Sequence, residues 1–435
     1  MSLFGALNTA ISGLSAQSTA FGNIGENLAN SQTVGFKQIG TTFDDYLSDV
    51  SGQAGDNTGA VVARPDYANN VQGAISQTDN PLDLAISGQG FFSVSQKTGE
   101  SNGVATFDSE TQYTREGDFK LDRDGYIVNS SGNYLNGWAA DANGNLNMTN
   151  VVPLQVGQTG YSPVPTSTAS LAANLPATPS STSPIVTSMQ VYDSLGTAHD
   201  LDLTWTQSAT TPNTWSLSIS QEGSTTPLGS VDIGFGPGAN AGAAQGTIGS
   251  ITPTSGSLTG STFSTGGKAT VGITANFGLG PQPITLGLGT FGGSDGITQF
   301  AGTNYNLISL SQDGVKPGSF SSVSMKSTGD VVVNYDNGQS RVVARVPVVT
   351  FPNADALQRE NGQAFSETAD SGQARTTQSG TNGAGGLVTT SVEASNVDIA
   401  TEFTKLIVAQ RAYSANTKMV TTADDMLQQT IDMKR

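Results

Sequence analysis

Two serines stand in the spelling of a nucleophile elbow, in Gly99-Glu-Ser101-Asn-Gly103 and Gly292-Gly-Ser294-Asp-Gly296. Such an elbow performs acyl transfer only on a strand–turn–helix, with an oxyanion hole and a histidine later in the chain. The single histidine, His199, follows Ser101 but precedes Ser294. No helical pattern follows Ser101, so a secreted serine hydrolase built on Ser101 and His199 is a remote alternative. Gly287-Leu-Gly289-Thr-Phe-Gly292 spells a dinucleotide loop, whose chemistry needs a helix N-terminus at the pyrophosphate. The next residues, Gly293-Ser-Asp-Gly296, are another turn, and between Ile233 and Gln312 there are 19 glycines in 80 residues. The spelling is chance. In Asp122-Arg-Asp124-Gly125 a calcium loop would need Gly at its sixth position and Glu at its twelfth, where Ile127 and Asn133 stand. It reads as a hairpin turn. His199, in Ala198-His-Asp200, reads as a solvent-facing or hydrogen-bonded strand residue. No catalytic, cofactor-binding or metal-ligating residue is expected, and no cofactor.

Composition points the same way. Charged residues are 12% of the 435-residue chain, against roughly 25% in ordinary soluble domains. The length suits about three domains of roughly 150 residues. Lys+Arg number 18 and Asp+Glu 35, for a net charge of −17. That balance argues against nucleic acid or an anionic membrane as a partner, since both need a basic face. With no cysteine, disulfides, zinc-thiolate sites and iron–sulfur clusters are excluded. No apolar run approaches the ~18 residues of a membrane span. Before Lys37 the only charge is Glu26, so a cleavable secretory signal with its basic start is not expected. Export would leave the amino terminus intact.

The elements that organise the chain lie at its ends. Leu7, Leu14, Phe21 and Leu28 fall seven apart, with Leu3, Ala10 and Ile24 interleaved and Phe4 and Ile11 beside them. Ile399, Leu406, Tyr413, Val420 and Leu427 repeat the spacing at the other end, widened by Phe403, Ala409, Ala423 and Ile431. Seven-residue spacing lays one apolar seam along a helix and invites a partner helix. From Leu387 to Arg435 there is neither Gly nor Pro. Ser395 with Asp398 resembles a capping box, and Lys434-Arg435 suits the negative end of the helix dipole. The first segment instead carries Gly5, Gly13, Gly22 and Gly25, each costing about 1 kcal/mol relative to Ala. Both ends are therefore expected to be largely unfolded in the free chain and to fold when neighbours arrive.

Between the ends the pattern is strand and turn. Leu82–Ile86, Gly90–Val94, Phe119–Leu121 and Tyr126–Val128 are short runs punctuated by Gly, Asn and Asp. Residues 160–185 hold five prolines and read as a domain crossover. Strands resume at Met189–Tyr192 and Leu201–Trp205. The glycine-rich stretch to Gln312, with only Lys268 and Asp295 charged, reads as a β-domain with many tight turns. Val331–Tyr335 and Val342–Val349 follow as strands, and 353–386 as a loop.

Several blocks carry a resemblance. Asn27-Leu-Ala-Asn30-Ser-Gln-Thr33-Val-Gly35-Phe36-Lys37 resembles the signature of the bacterial flagellar rod and hook proteins. So does Val408-Ala-Gln-Arg-Ala-Tyr-Ser-Ala-Asn416 with Thr421-Thr-Ala-Asp-Asp-Met-Leu427. Leu82–Val94, Tyr113–Phe119 and Gly125–Asn129 are similar to that family's inner β-domain. Val191–Asp200, Gln312–Gly318 and Phe351–Leu357 resemble the entry to and return from the outer domain of its hook members; rod members are shorter and lack it.

The resemblance implies a mainly β fold with paired terminal α-helices, a nested multi-domain axial protein. Its coiled-coil core domain would comprise 1–35 and 391–435, followed by a linking segment at 36–70. An inner β-domain (71–158 and 303–390) and an outer one (159–302) would lie outside it. The function implied is a self-polymerising subunit of a flexible tube, a universal joint carrying motor torque to the filament; a distal rod subunit is the alternative within the family. Implied partners are further copies of the chain, the distal rod protein, the hook cap protein, the hook–filament junction protein and the flagellar export apparatus. Implied location is extracellular, in the flagellum. Assembly is expected to rest on Leu7, Leu14, Phe21, Leu28, Ile399, Leu406, Tyr413, Val420 and Leu427, with Asn27, Asn30, Thr33, Gly35, Phe36 and Lys37 as the family motif. Asn30 and Gly35 could end the first helix in a left-handed conformation, leaving Phe36 to anchor the linking segment.

Overall fold

The computed structural model describes residues 3–46, 60–101, 104–141, 144–157, 159–224 and 226–433. Helix α1 spans Leu3–Ala29 and helix α2 Ile399–Asp432, with short strands between them. The chain is thus mainly β with a helix at either end. It divides into two compact units, one of Met1–Gln158, Ser321–Asn334 and Ser340–Arg435, the other of Thr159–Phe320 and Tyr335–Gln339.

In the first unit α1 packs on α2 and on an antiparallel ribbon of Ile39–Tyr46 with Ala60–Tyr67. The pairing of the helices is antiparallel, since Asn27 meets Glu402, Phe21 meets Tyr413 and Gly13 meets Asn416. With its four glycines, α1 thus packs against both α2 and the ribbon of the same chain. Two small ladders lead away from the helices. Ile75–Gln77 pairs with Ser391–Glu393, and Leu84–Ser87 with Gly386–Thr389, so the outgoing and returning chain run side by side. A larger antiparallel sheet includes Phe92–Ser101, Gln112–Thr114, Asn133–Ala139 and Ala364–Ser366. The expected hairpin turn is present: Lys120–Leu121 pairs with Ile127–Val128, and Gly125 takes φ +82°.

The second unit has two sheets around one core. A five-stranded meander runs in sequence order from Ile185–Tyr192 to Ile248–Gly256. Its strands alternate as half-buried strands should: Leu201, Leu203 and Trp205 are buried while Asp202 and Thr204 lie half-exposed between them. The facing sheet contributes Leu171, Val271, Ile273, Leu286 and Leu288 to the same core.

Several expectations need correction. The proline-rich stretch 160–185 contains the strand Thr168–Asn174, to which three other strands pair. Its five prolines lie outside those seven residues, and two of its three buried positions, Ala169 and Ala173, are too small to announce a strand beside Leu171. Residues 303–320, assigned from sequence to the inner domain, belong to the second unit, because Asn306–Gln312 pairs with that same strand. The stretch 353–386, read as a loop, carries the short strands Gln358–Arg359, Ala364–Ser366 and Arg375–Thr377.

Candidate assembly site

The rows that meet between the terminal helices are built of small and polar residues. On α2 the buried positions are Glu402, Ala409 and Ala423, spaced in sevens, with half-buried Asn416 completing the row. On α1 the buried residues include Ala10, Ala16, Ala20, Ile24 and Asn27, on a helix that packs on both α2 and the ribbon. Small side chains let two helix backbones approach closely. The larger apolar residues flank this contact: Leu7, Leu14, Phe21, Leu28, Leu406, Val420 and Leu427 are each half-buried. Tyr413 lies edge-on to Phe21, ring centroids 6.1 Å apart, yet is 42% exposed, and Ile399 is 44% exposed. These two are not covered within the chain, and neither are Phe403, Ile407, Val408 and Ile431. The exposed side of α2 therefore carries an uncovered apolar stripe. The side chains of Leu3 and Phe4, and Lys434-Arg435, lie outside the described residues.

The cap of α2 differs from the expected box. Asp398 itself is the N-cap, its carboxylate accepting from the Thr401 amide at 2.7 Å, so Ser395 lies outside the helix. Nor does Asn30 turn left-handed. Its amide donates to the Glu26 carbonyl and its oxygen accepts from Thr33, which holds the end of α1 by side-chain bonds. Gly35 alone takes the left-handed conformation, at φ +70°, where a Cβ would stand 2.6 Å from the Glu116 amide nitrogen.

From there the motif residues turn inward. Asn27 is fully buried and holds the Ile39 backbone from both sides, accepting from its N–H at 2.9 Å and donating to its carbonyl at 2.8 Å. The same amide group donates to Glu402 Oε2 at 3.1 Å, while Glu402 Oε1 accepts from Gln38 and Lys405. Phe36 lies buried beneath the Arg359 guanidinium, 5.0 Å from its ring centroid. Lys37 is completely buried, and its ammonium donates to Glu393 Oε1 at 2.5 Å and to the Val71 carbonyl at 2.6 Å.

Glu393 is the centre of this joint. Its other oxygen accepts from Arg115 at 2.9 Å, Oε1 also accepts from the Gly73 amide, and its backbone carbonyl accepts from Gly35. Arg115 donates further to the Ile86 and Gly88 carbonyls. One carboxylate thus gathers the segment after α1, the β-domain and the segment before α2. Burial lowers the Lys37 ammonium below its ordinary value more strongly than Glu393 restores it. Glu393 and Glu402 were not singled out from sequence, and Arg115 and Asn416 stood there only as members of the blocks Tyr113–Phe119 and Val408–Asn416. The available signal was charge inside apolar surroundings, as in Ser391-Val-Glu393-Ala, in a chain with few charges.

The residues that could have done chemistry occupy ordinary places. Ser101 lies at the exposed end of the strand Phe92–Ser101, and the described chain resumes as another strand, Val104–Phe107, rather than a helix; Asn102 and Gly103 lie outside the described residues. His199 bonds Asp193 at 3.0 Å and stacks on Phe277 at 4.2 Å. Gly287, Gly289 and Gly292 belong to a strand and its turn. Asp122 accepts from the Asp124 and Tyr126 amides and so closes the hairpin.

Comparison with known proteins decides what the paired ends belong to. Residues 7–37 match the flagella basal body rod protein family and 388–433 the C-terminal family of the flagellar basal body rod FlgEFG proteins. Residues 85–162 match the flagellar hook protein FlgE/F/G D1 domain and 162–315 the flagellar basal body protein FlaE D2 domain. Over the whole chain and the whole of each relative, it is 31% identical to the flagellar hook protein FlgE of Rhizobium meliloti and 30% to that of Brucella abortus. The chain belongs to the flagellar hook protein family. A crystal structure of Helicobacter pylori flagellar hook protein FlgE2 aligns at a TM-score of 0.45 and 14% identity, over 72% of this chain and 98% of that one, too slight a likeness to add to the assignment. As a hook-family member the chain is a structural subunit that self-polymerises within the hook and basal body of the flagellum. The matched end segments contain most of α1 with its motif, and all of α2, the elements joined at Glu393 and Glu402.

Proposed function

We propose that the subunit works as one link of a universal joint, stiff along its terminal helices and yielding at its second unit. The observation that carries this reading is the uneven placement of charge pairs. The first unit ties its segments with buried pairs at Glu393 and further pairs at Asp330 and Glu402. Among the described residues, the second unit has no pair between a Lys or Arg and a carboxylate, only the hydrogen bond of His199 with Asp193. Surfaces with few fixed ion pairs offer several registers of similar energy, because no charge geometry selects one. Torque needs the opposite, a path with one arrangement, and polar groups satisfied in a buried joint favour a single geometry.

In this reading Leu7, Leu14, Phe21, Leu28, Ile399, Leu406, Tyr413, Val420 and Leu427 serve assembly. Their half-buried and exposed surfaces are covered by neighbouring copies, with coupled ordering of the ends. The motif from Asn27 to Lys37 sets the direction in which the chain leaves α1. The work is mechanical, not catalytic. The chain reaches the outside of the cell through the flagellar export apparatus with its amino terminus uncleaved. There it meets the distal rod protein below, the hook cap protein during growth, and the hook–filament junction protein above. Electron cryomicroscopy of curved tubes tests the reading. Contacts between second units should differ between the inside and the outside of the bend, and contacts unchanged around the circumference would refute it.

A further inference from the structure

The second unit leaves one apolar edge uncovered. The strand Asn306–Gln312 pairs on one side with Thr168–Asn174 and, among the described residues, has no strand on the other. Leu307 is 44% exposed and Ile308 64% exposed. Edges of this kind are normally guarded by charge or proline. From Gly296 to Gln312 there is neither. What the edge has is a bulge: Ala172 pairs with Ser309 and Ala173 with Leu307, so Ile308 is the unpaired extra residue. A bulge interrupts the ladder and re-aims a side chain, which disfavours continuous strand addition and presents Ile308 to solvent.

We propose that the bulged edge at Leu307 and Ile308 is a side-chain contact with a second copy of this chain. The argument for a second copy is electrostatic. At a net charge of −17, copies repel wherever acidic surfaces approach, and an uncharged apolar edge is where like chains meet without that penalty. A cationic partner would select the acidic surface instead. Because copies in a tube share one orientation, the contact is heterologous, the edge meeting a different surface of its neighbour. Apolar side chains without ladder hydrogen bonds can shift register, which suits a yielding contact. The proposal rests on self-assembly as read above.

The chain has no cysteine, so Ile308→Cys creates a single thiol. Its maleimide labelling is compared in free subunits and in assembled tubes, beside Leu195→Cys and Ser224→Cys, two other exposed positions of the unit. Thiol reactivity requires access, so labelling of Ile308→Cys should slow by about tenfold or more on assembly, and by more than at the other two sites. Equal slowing at all three sites, or none, overturns the proposal. Protection of the free subunit by added glycan also overturns it, in favour of a ligand site. A variant that folds by circular dichroism but no longer assembles supports it, as does the same result with Ile308→Lys. Wild-type protein that forms no tubes would defeat the self-assembly reading itself, a distinct outcome.

Discussion

Asn416 of α2 lies so close against Gly13 of α1 that a methyl group on Gly13 would stand 2.8 Å from the Asn416 amide nitrogen. A glycine that weakens its own helix is thereby the residue that lets the second helix approach. Gly13→Leu should separate the two helices there and abolish tube formation. Gly13→Ala combined with Asn416→Ala removes the clash and recovers helix propensity of up to about 1 kcal/mol. Thermal melting followed at the helical circular dichroism band checks both, and a Gly13→Leu variant that assembles normally would contradict the geometry.

Leu406 sits half-buried beside the close-packed row of Glu402 and Ala409. Leu406→Asp places a charge in that flank without touching either β-core. Assembly should stop, while the near-ultraviolet spectrum from buried Trp205 and Trp215 stays unchanged.

Removing the carboxylate charge from Glu393 leaves Lys37 and Arg115 buried without their shared partner. Breaking a buried ion pair from one side typically costs about 3–5 kcal/mol. Glu393→Gln should therefore lower the first unit's urea midpoint markedly and leave the second unit's transition in place. Lys37→Met in the wild-type background should cost less, because Arg115 still pairs with the carboxylate.

Burial pushes the Glu116 carboxyl up to about 7 from an ordinary 4.5, although Asn129 donates to it at 2.7 Å. The folded chain then holds this proton more tightly than the unfolded chain does, so stability falls as pH rises from about 4.5 to about 7. Glu116→Gln keeps an acceptor for Asn129 and removes the charge. Its melting temperature should exceed the wild-type value at pH 8, match it near pH 4, and vary less in between.

Asp313 shows the opposite sign. Burial alone would raise its carboxyl, but donation from Ser167 and Thr168 outweighs it and holds the group at about 2. Its contribution is complete above the unfolded value of 3.8 and is lost as pH falls through about 2. Asp313→Ala should loosen the strand Asn306–Gln312 from Thr168–Asn174 at neutral pH, seen as faster amide hydrogen exchange in both, and should remove this part of the acid dependence.

The family, the mainly β architecture and the helical ends were legible in the chain itself, because they rest on periodicity, turn residues and contiguous motifs. Heptad spacing marked both helices, and Asp122 to Gly125 marked its hairpin. The strand Thr168–Asn174 was not legible, because its buried face is mostly alanine and prolines crowd both sides of it. The capping residue was misplaced by three positions, since Ser395 and Asp398 are both competent caps and only the backbone path chooses between them.

The amino-acid order by itself determined which faces are apolar and where the backbone must turn, properties that each short segment carries alone. Only the tertiary structure decided that small residues meet between the helices while the leucines flank them, and that Lys37 and Arg115 converge on Glu393. Those pairings join residues hundreds of positions apart. Their strength depends on burial, and burial is a property of the folded chain, absent from any one segment.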